Sequence, residues 1–461
     1  MDTQIHPTKT FLQHLQATLK LGVPLVVTQL IFMLIGVTDT LMLGWLGVKE
    51  LAAGTLAFQM IFMVFIFGLG FGAALTPLVA AAAGRDDTQS VRRTTRMGLW
   101  VLFITVMLFM IPLSFAEAIL HALGQNPELI KLATAYLIIA KWSLIPAFLH
   151  AGLRSFLTSL EHTKAVLWSA LAMAVINAIL NYALIFGNFG APRLEMEGAA
   201  IATVIANILP LIALGLYIHF GETARPYAIF QRFWRPEWPA FRSIVKIGLP
   251  IAISIFFEAG MFAAAALMIG WIGVVPLAAH GIALQWASLS FMIPLGFAMA
   301  GTIRVGNAAG RKDFVSIGPA GWAAMVVGLC FSAAAALVFW LMPEPLIRMF
   351  LDNGNKDAAA VLAYAVPLFA MAAAFQIFDS LQVASGSNLR GLQDTKIPMI
   401  IATISYWPIG MGMAYLLAFP LGYGGAGVWA GLVIGLAVAG VALTYRFVHR
   451  ERLGLLLDNK I

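Results

Sequence analysis

Charge is what this chain has least of. Asp, Glu, Lys and Arg make up 11% of its 461 residues, while apolar types make up 61%. Soluble domains run at about 25% charged and roughly 45–50% apolar, so an ordinary water-exposed surface is excluded. Cysteine is nearly absent too. The single Cys330 stands in an apolar run, Gly328-Leu329-Cys330-Phe331. That rules out an intrachain disulfide and a cysteine-based zinc or redox motif, and Cys330 reads as a small buried hydrophobe. No GxxxxGK phosphate loop, HExxH or GxSxG occurs, so ATP hydrolysis is not expected and the chain does not read as an enzyme. Residues Met1 to Lys20 carry Lys9, Lys20, His6 and His14 but no apolar core and no small-residue cleavage site. They read as an amphipathic lead-in to a membrane span, not as a cleaved signal peptide.

What fills the chain instead is one apolar stretch after another. A bilayer core of ~30 Å needs about 20 apolar residues per helix. Twelve spans are expected, at 19–47, 53–82, 97–118, 129–153, 165–187, 198–220, 244–272, 277–304, 318–342, 360–386, 397–419 and 425–447. The formal charge is +7, and its sidedness is more informative than its size. Of the 28 Lys and Arg, 22 fall in alternate loops and at the two ends of the chain. The opposite loops hold only Lys49, Lys131, Arg193, Arg348 and Lys356, and Lys141 lies inside span 4. The positive-inside rule then places both termini in the cytoplasm, and a miscounted span would have scrambled the asymmetry. The basic balance belongs to a membrane topology, with a lipid bilayer as partner and no nucleic acid.

The chain also resembles itself at an offset of 226 residues. Gly44-Trp45-Leu46-Gly47-Val48 recurs as Gly270-Trp271-Ile272-Gly273-Val274, and Leu51-Ala52-Ala53 as Leu277-Ala278-Ala279. Gln59 matches Gln285, Ala82-Ala83-Gly84-Arg85 matches Ala308-Ala309-Gly310-Arg311, and Lys20, Gly22 and Pro24 match Lys246, Gly248 and Pro250. One six-helix unit is used twice, as bundles 1–220 and 244–461 joined by a polar, basic linker at 221–243. An even number of helices per unit makes the repeats parallel, related by a pseudo-two-fold axis along the membrane normal, an organisation found in transporters.

Three acids lie at membrane depth: Asp39 in span 1, Glu258 in span 7 and Asp379 in span 10. Burying a charge there costs at least ~2.5–3.5 kcal/mol, so such groups mark functional sites by default. None has a basic residue one turn away. Low dielectric disfavours a bare carboxylate, so such a group can hold a proton, a sodium ion or a cationic ligand, one at a time. The bland alternative for each is a structural hydrogen bond or an interhelical ion pair. Asn177 and Asn181, at i and i+4 on span 5, share a face. With Thr203 on span 6 and Asp39 they could supply oxygens to a cation, or simply join helices. Phe375, Asp379 and Gln382 share a face of span 10, where an aromatic beside a carboxylate suits a lipophilic cation. Lys141 and His280 read as structural. Pro24, Pro146, Pro250, Pro294 and Pro408 mark bends.

Val37-Thr38-Asp39-Thr40-Leu41-Met42-Leu43-Gly44, Phe256-Phe257-Glu258-Ala259 and Ile303-Arg304-Val305-Gly306 stand out, as do Asp379 with Gln382-Val383, Asn388-Leu389-Arg390-Gly391 and Ile404-Ser405-Tyr406-Trp407. Together these stretches resemble the multidrug and toxic compound extrusion (MATE) transporters, nearest the NorM branch. The resemblance implies two six-helix bundles, alternating access, and export of organic cations by exchange for H⁺ or Na⁺, with no cofactor. It maps cation coupling onto Asp39, Asn177, Asn181 and Thr203 in the first bundle. In the second it maps cation and substrate contacts onto Glu258 and Asp379, beside Phe375, Gln382 and Gln285. A sodium ion would sit at Asp39 or at Glu258/Asp379. Asn181 stands where some members have Asp, and Phe375 where some sodium-linked members have Tyr; both differences tilt the expectation toward protons. A monomer in a bacterial inner membrane is implied. The rival reading is a flippase for lipid-linked sugars, which would carry basic residues inside its cavity.

Overall fold

The computed structural model describes residues 10–351 and 357–456; Lys9, Lys356 and Lys460 of the charge pattern lie outside them. Among the described residues there is no strand, and twelve helices are long and apolar enough to cross a bilayer. In chain order the helices are α1 (Phe11–Leu46), α2 (Val48–Gly84), α3 (Thr88–Leu113), the short α4 (Ala116–Ala122), α5 (Pro127–Ala140) and α6 (Leu144–Ser159). Next come α7 (Thr163–Phe186), α8 (Glu195–Phe220), α9 (Trp238–Ile272), α10 (Val274–Gly310), α11 (Phe314–Leu341) and the short α12 (Pro343–Arg348). Last are α13 (Ala358–Gly391), α14 (Lys396–Ile404), α15 (Gly412–Ala418) and α16 (Gly424–Val448). A 3-10 turn at Lys141–Ser143 joins α5 to α6 as span 4, and a π-helical segment at Ser405–Met411 joins α14 to α15 as span 11. That segment contains Pro408, whose missing N–H cannot serve an α-helical ladder.

The spans match those expected from hydropathy, but several helices overrun them. At 1.5 Å per residue, the 37 residues of α10 reach roughly 55 Å, well beyond a ~30 Å core. Arg304 therefore lies within α10 and Arg390 within α13, while Arg154 lies within α6. The charge pattern had counted all three with the loops, Arg304 at the very end of span 8. Cys330 differs as well: it is exposed on α11. In a bilayer the outward face of a helix is itself apolar, so an apolar residue need not face the core.

Two compact units form. One takes Val27–Ala252; the other takes the chain up to Val26 together with everything from Ile253 onward. Each unit therefore borrows the first part of a long helix from the other repeat. Within one unit, a Cβ at Gly22 would stand 2.3 Å from the Phe297 ring, and one at Gly296 would stand 2.7 Å from Val26 Cα. In the other unit the contacts repeat 226 residues out of phase, Gly248 against Phe71 and Gly70 against Ala252. Only glycine allows these backbones so close. The caps repeat as well. Asp87 accepts from Ser90 N–H (2.9 Å) to start α3, and Asp313 accepts from Ser316 N–H (3.1 Å) to start α11.

The start of α1 is fixed by buried polar bonds. Arg304 donates to the His14 carbonyl (2.8 Å) and meets His14 Nδ1 (2.8 Å) and Thr18 Oγ1. The linker after α8 folds onto α3. Arg92 Nε donates to the Tyr227 carbonyl (2.8 Å), Trp100 Nε1 to that of Phe233 (3.0 Å), and Arg93 pairs with Glu237 (3.4 Å). Gly427, Gly431 and Gly435, one per turn of α16, let that helix meet the backbone of Leu417, Ala414 and Gly410.

Candidate functional site

In the Val27–Ala252 unit, four helices converge on Asp39. It lies half-buried on α1, and its Oδ1 accepts from Asn181 Nδ2 at 2.6 Å. The same amide nitrogen donates to Asn177 Oδ1 at 3.3 Å, so the i, i+4 pair on α7 acts as one arm with Asp39 at its tip. Asn181 is fully buried, and its Oδ1 has no hydrogen-bond partner among the described residues. Thr203 on α8 binds the Ala199 carbonyl of its own helix (2.9 Å). Its side chain also meets the hydroxyl of Tyr136 on α5, which lies within electrostatic reach of Asp39. Hydrogen bonds thus join Asp39, Asn181 and Asn177, while Thr203 is linked to them only through Tyr136. Tyr136 was missed, although a lone tyrosine in the apolar run Leu132–Ala140 was a readable signal. The group can hold one cation at Asp39. The donor at 2.6 Å is an amide N–H, which stabilises the empty carboxylate and must give way to any cation that takes its place.

In the other unit, Glu258 on α9 and Asp379 on α13 lie within electrostatic reach of each other and of Tyr406 in the π-helical segment, and Arg390 in the last turn of α13 lies within reach of Glu258 and Tyr406. Asp379 and Gln382 are 4% and 6% exposed, and their Oδ1 and Oε1 have no hydrogen-bond partner among the described residues. Tyr406 is fully buried, with its hydroxyl beside Gln382 but short of a completed hydrogen bond. Buried polar oxygens without partners are uncommon and each calls for a physical reason. Here one of the three belongs to Asp379 itself and the other two to Gln382 and Tyr406, a set suited to a cation or to protons. Arg390 and Tyr406 were not singled out as site residues. Arg390 was hidden by the helix overrun, and Tyr406 by an aromatic-rich stretch.

The remaining expected residues make no hydrogen bond to this cluster, although Phe375 stands one turn before Asp379 on α13. Phe375 is 2% exposed, edge-on to Trp429 (5.5 Å) and Phe262 (5.9 Å), within the packed core. Trp429 Nε1 in turn donates to His280 Nδ1 (3.2 Å), giving that histidine the structural role expected of it. Gln285 is exposed on α10 and makes no hydrogen bond among the described residues. Lys141 donates to Ser114 Oγ (3.1 Å), not to an acid. Arg154, half-buried, lies 4.8 Å from the centroid of the Phe32 ring and forms no ion pair among the described residues.

Comparison with known proteins agrees with this organisation. The chain matches the MatE family model at residues 24–183 and 250–416. It is 48% identical over 440 residues to a probable multidrug resistance protein NorM of Rhizobium meliloti, covering 95% of this chain and 94% of that protein. A protein of the same description from Agrobacterium fabrum is 46% identical, with the same coverage. Among solved structures, a MATE transporter of Vibrio cholerae superposes with a TM-score of 0.87 at 18% identity, over 97% of this chain and 99% of that one. A eukaryotic MATE transporter gives 0.84 at 22% identity, over 96% and 99%. These two share the fold. On the family match and the NorM relatives, this chain belongs to the MatE family and is a multi-pass membrane protein.

Proposed function

We propose that this protein is a multidrug exporter that expels organic cations across a bacterial inner membrane in exchange for protons, by alternating access, with both termini in the cytoplasm. The observation that carries the coupling step is the bond from Asn181 Nδ2 to Asp39 Oδ1. The nearest partner of the carboxylate is a neutral amide donor, not a fixed cation. One group can therefore serve a proton and a cationic cargo in turn. An N–H at this place, with the neighbouring Asn181 oxygen left over, suits a proton better than sodium, which wants several oxygens around it. Glu258 and Asp379 form the corresponding acidic pair in the other unit, and the two compact units are the bodies that move. Relatives described as multidrug resistance proteins support drugs as cargo.

A second reading, carriage of lipid-linked sugars, is favoured by Arg154 and Arg390, the basic residues placed within α6 and α13. One experiment separates the two. Proteoliposomes receive a fluorescent lipophilic cation under a proton gradient or a sodium gradient, with Asp39→Asn as the comparison. Uptake driven by the proton gradient and lost in the variant supports the first reading. Uptake driven by sodium alone changes the coupling ion. No uptake under either gradient with folded protein favours the second.

A further inference from the structure

The unit that contains α16 has a groove on its surface that plays no part in the cation chemistry. It has a volume of about 710 Å³ and is lined by Ile401 of α14, a strip of α16, and Leu453. The strip is Ala437, Val438, Val441 and Ala442, continued by Tyr445 and Arg446. These positions repeat at i, i+1, i+4, i+5, i+8 and i+9, one face of a helix. The opposite face, with Leu436, Ala439, Leu443 and Phe447, is buried in the bundle. Two of the lining residues are alanine, whose small side chains leave room for the trough. From Ala437 to Arg446 the groove runs about 13–14 Å along the helix, close to half of a ~30 Å bilayer core.

One end of the groove is polar and the rest is not. After α16 the chain turns back. Leu453 N–H bonds the His449 carbonyl (3.0 Å), Leu455 N–H bonds that of Arg450 (2.9 Å), and Gly454 takes φ +65. Leu455 is buried and Leu453 reaches the groove, so the turn closes its charged end. There Arg446 Nε donates to Asp394 Oδ2 at 2.6 Å. That bond leaves both Nη groups as donors for an acceptor from outside. Lys396 and Arg452 stand exposed in the same end segments, so with Arg446 they make three bases against the acids Asp394 and Glu451, while Arg450 turns to the other face of α16, over the Phe447 ring. The mouth is therefore net basic. An apolar trough about one leaflet long with a basic end matches one kind of molecule.

We propose that this groove is a binding site for an anionic phospholipid. One acyl chain lies along Ala437, Val438, Val441 and Ala442, and Arg446 binds the phosphate group at the mouth. The proposal holds whatever the cargo or coupling ion.

The test uses the full-length protein in detergent, with phosphatidylglycerol and phosphatidylcholine of identical chains as probes. Retained lipid is counted by native mass spectrometry. The basic mouth predicts that one phosphatidylglycerol is held, with a preference of about tenfold or more over phosphatidylcholine. Val438→Phe with Ala442→Phe fills the trough and should abolish retention of both lipids without lowering the lipid-free unfolding temperature. Arg446→Gln with Asp394→Asn removes the ion pair without stranding a charge, and should keep acyl-chain binding while erasing the preference. Equal retention of the two lipids by the unchanged protein overturns the proposal, as does full retention by the filled variant. A filled variant that turns a dimer into a monomer with lipid unchanged would overturn it in favour of a second copy of this chain.

Discussion

Asn181→Leu isolates the contact on which the coupling argument turns. Leucine keeps asparagine's branching and number of heavy atoms at a fully buried position, so the change removes the amide while adding only the extra bulk of two methyl groups. What is lost is a 2.6 Å hydrogen bond to a carboxylate, with a weaker 3.3 Å bond to Asn177. A hydrogen bond to a charged group contributes about 1.5–3 kcal/mol. That bond stabilises Asp39 in its empty form, and a bound cation must displace it. Removing it destabilises the bare carboxylate for proton and cargo alike, so at a pH high enough to keep Asp39 ionised an organic cation should bind more tightly, by roughly 10- to 150-fold at 1.4 kcal/mol per decade. Release should slow in proportion, so turnover falls while the half-saturating concentration falls with it. Initial rates of dye uptake into proteoliposomes across a range of dye concentrations measure both quantities, and the unfolding midpoint checks the fold. A higher half-saturating concentration, or an unchanged one, would refute the idea that the Asn181 amide competes with the cargo.

Other changes test neighbouring parts of the account. Glu258→Gln and Asp379→Asn, made singly, should each slow gradient-driven uptake by about tenfold or more, since a lost charged contact is worth at least ~1.5 kcal/mol; full activity in either variant would remove that acid from the mechanism. Tyr136→Phe deletes the hydroxyl that meets Thr203 and should cost about 0.5–1.5 kcal/mol, seen as a change in the pH profile of uptake with an unaltered unfolding midpoint. Gly431→Val would set a Cβ 2.4 Å from the Ala414 backbone, forcing α16 from α15 at a cost of about 1–3 kcal/mol; a thermal melt should show a lower midpoint, and an unchanged melt would mean that the close approach carries no stability.

Much of the fold was legible because the bilayer imposes it. Scarce charge, apolar runs and one-sided Lys and Arg are enough to count twelve spans, and the 226-residue echo pairs them into two sixes. The exchange of helix starts between the repeats was not legible. It depends on Gly22 meeting Phe297 and Gly248 meeting Phe71, contacts between residues far apart in sequence that no local pattern encodes. The three acids and the Asn177–Asn181 pair stood out because polar groups at membrane depth are costly. Arg390 did not, because a hydropathy window ends where the apolar run ends, whereas α13 continues to Gly391. Phe375 shared a helix face with Asp379, yet periodicity could not say that Trp429 and Phe262 would enclose its ring.

The central claim is that a proton and the cargo exclude each other at Asp39. Proton release on cargo binding tests it most directly. Purified protein in weakly buffered, sodium-free solution with a pH indicator is titrated with tetraphenylphosphonium. The account predicts that protons leave the protein as the cation binds, and that this release disappears in Asp39→Asn. Saturable binding of the cation with no proton released by the unchanged protein would contradict it.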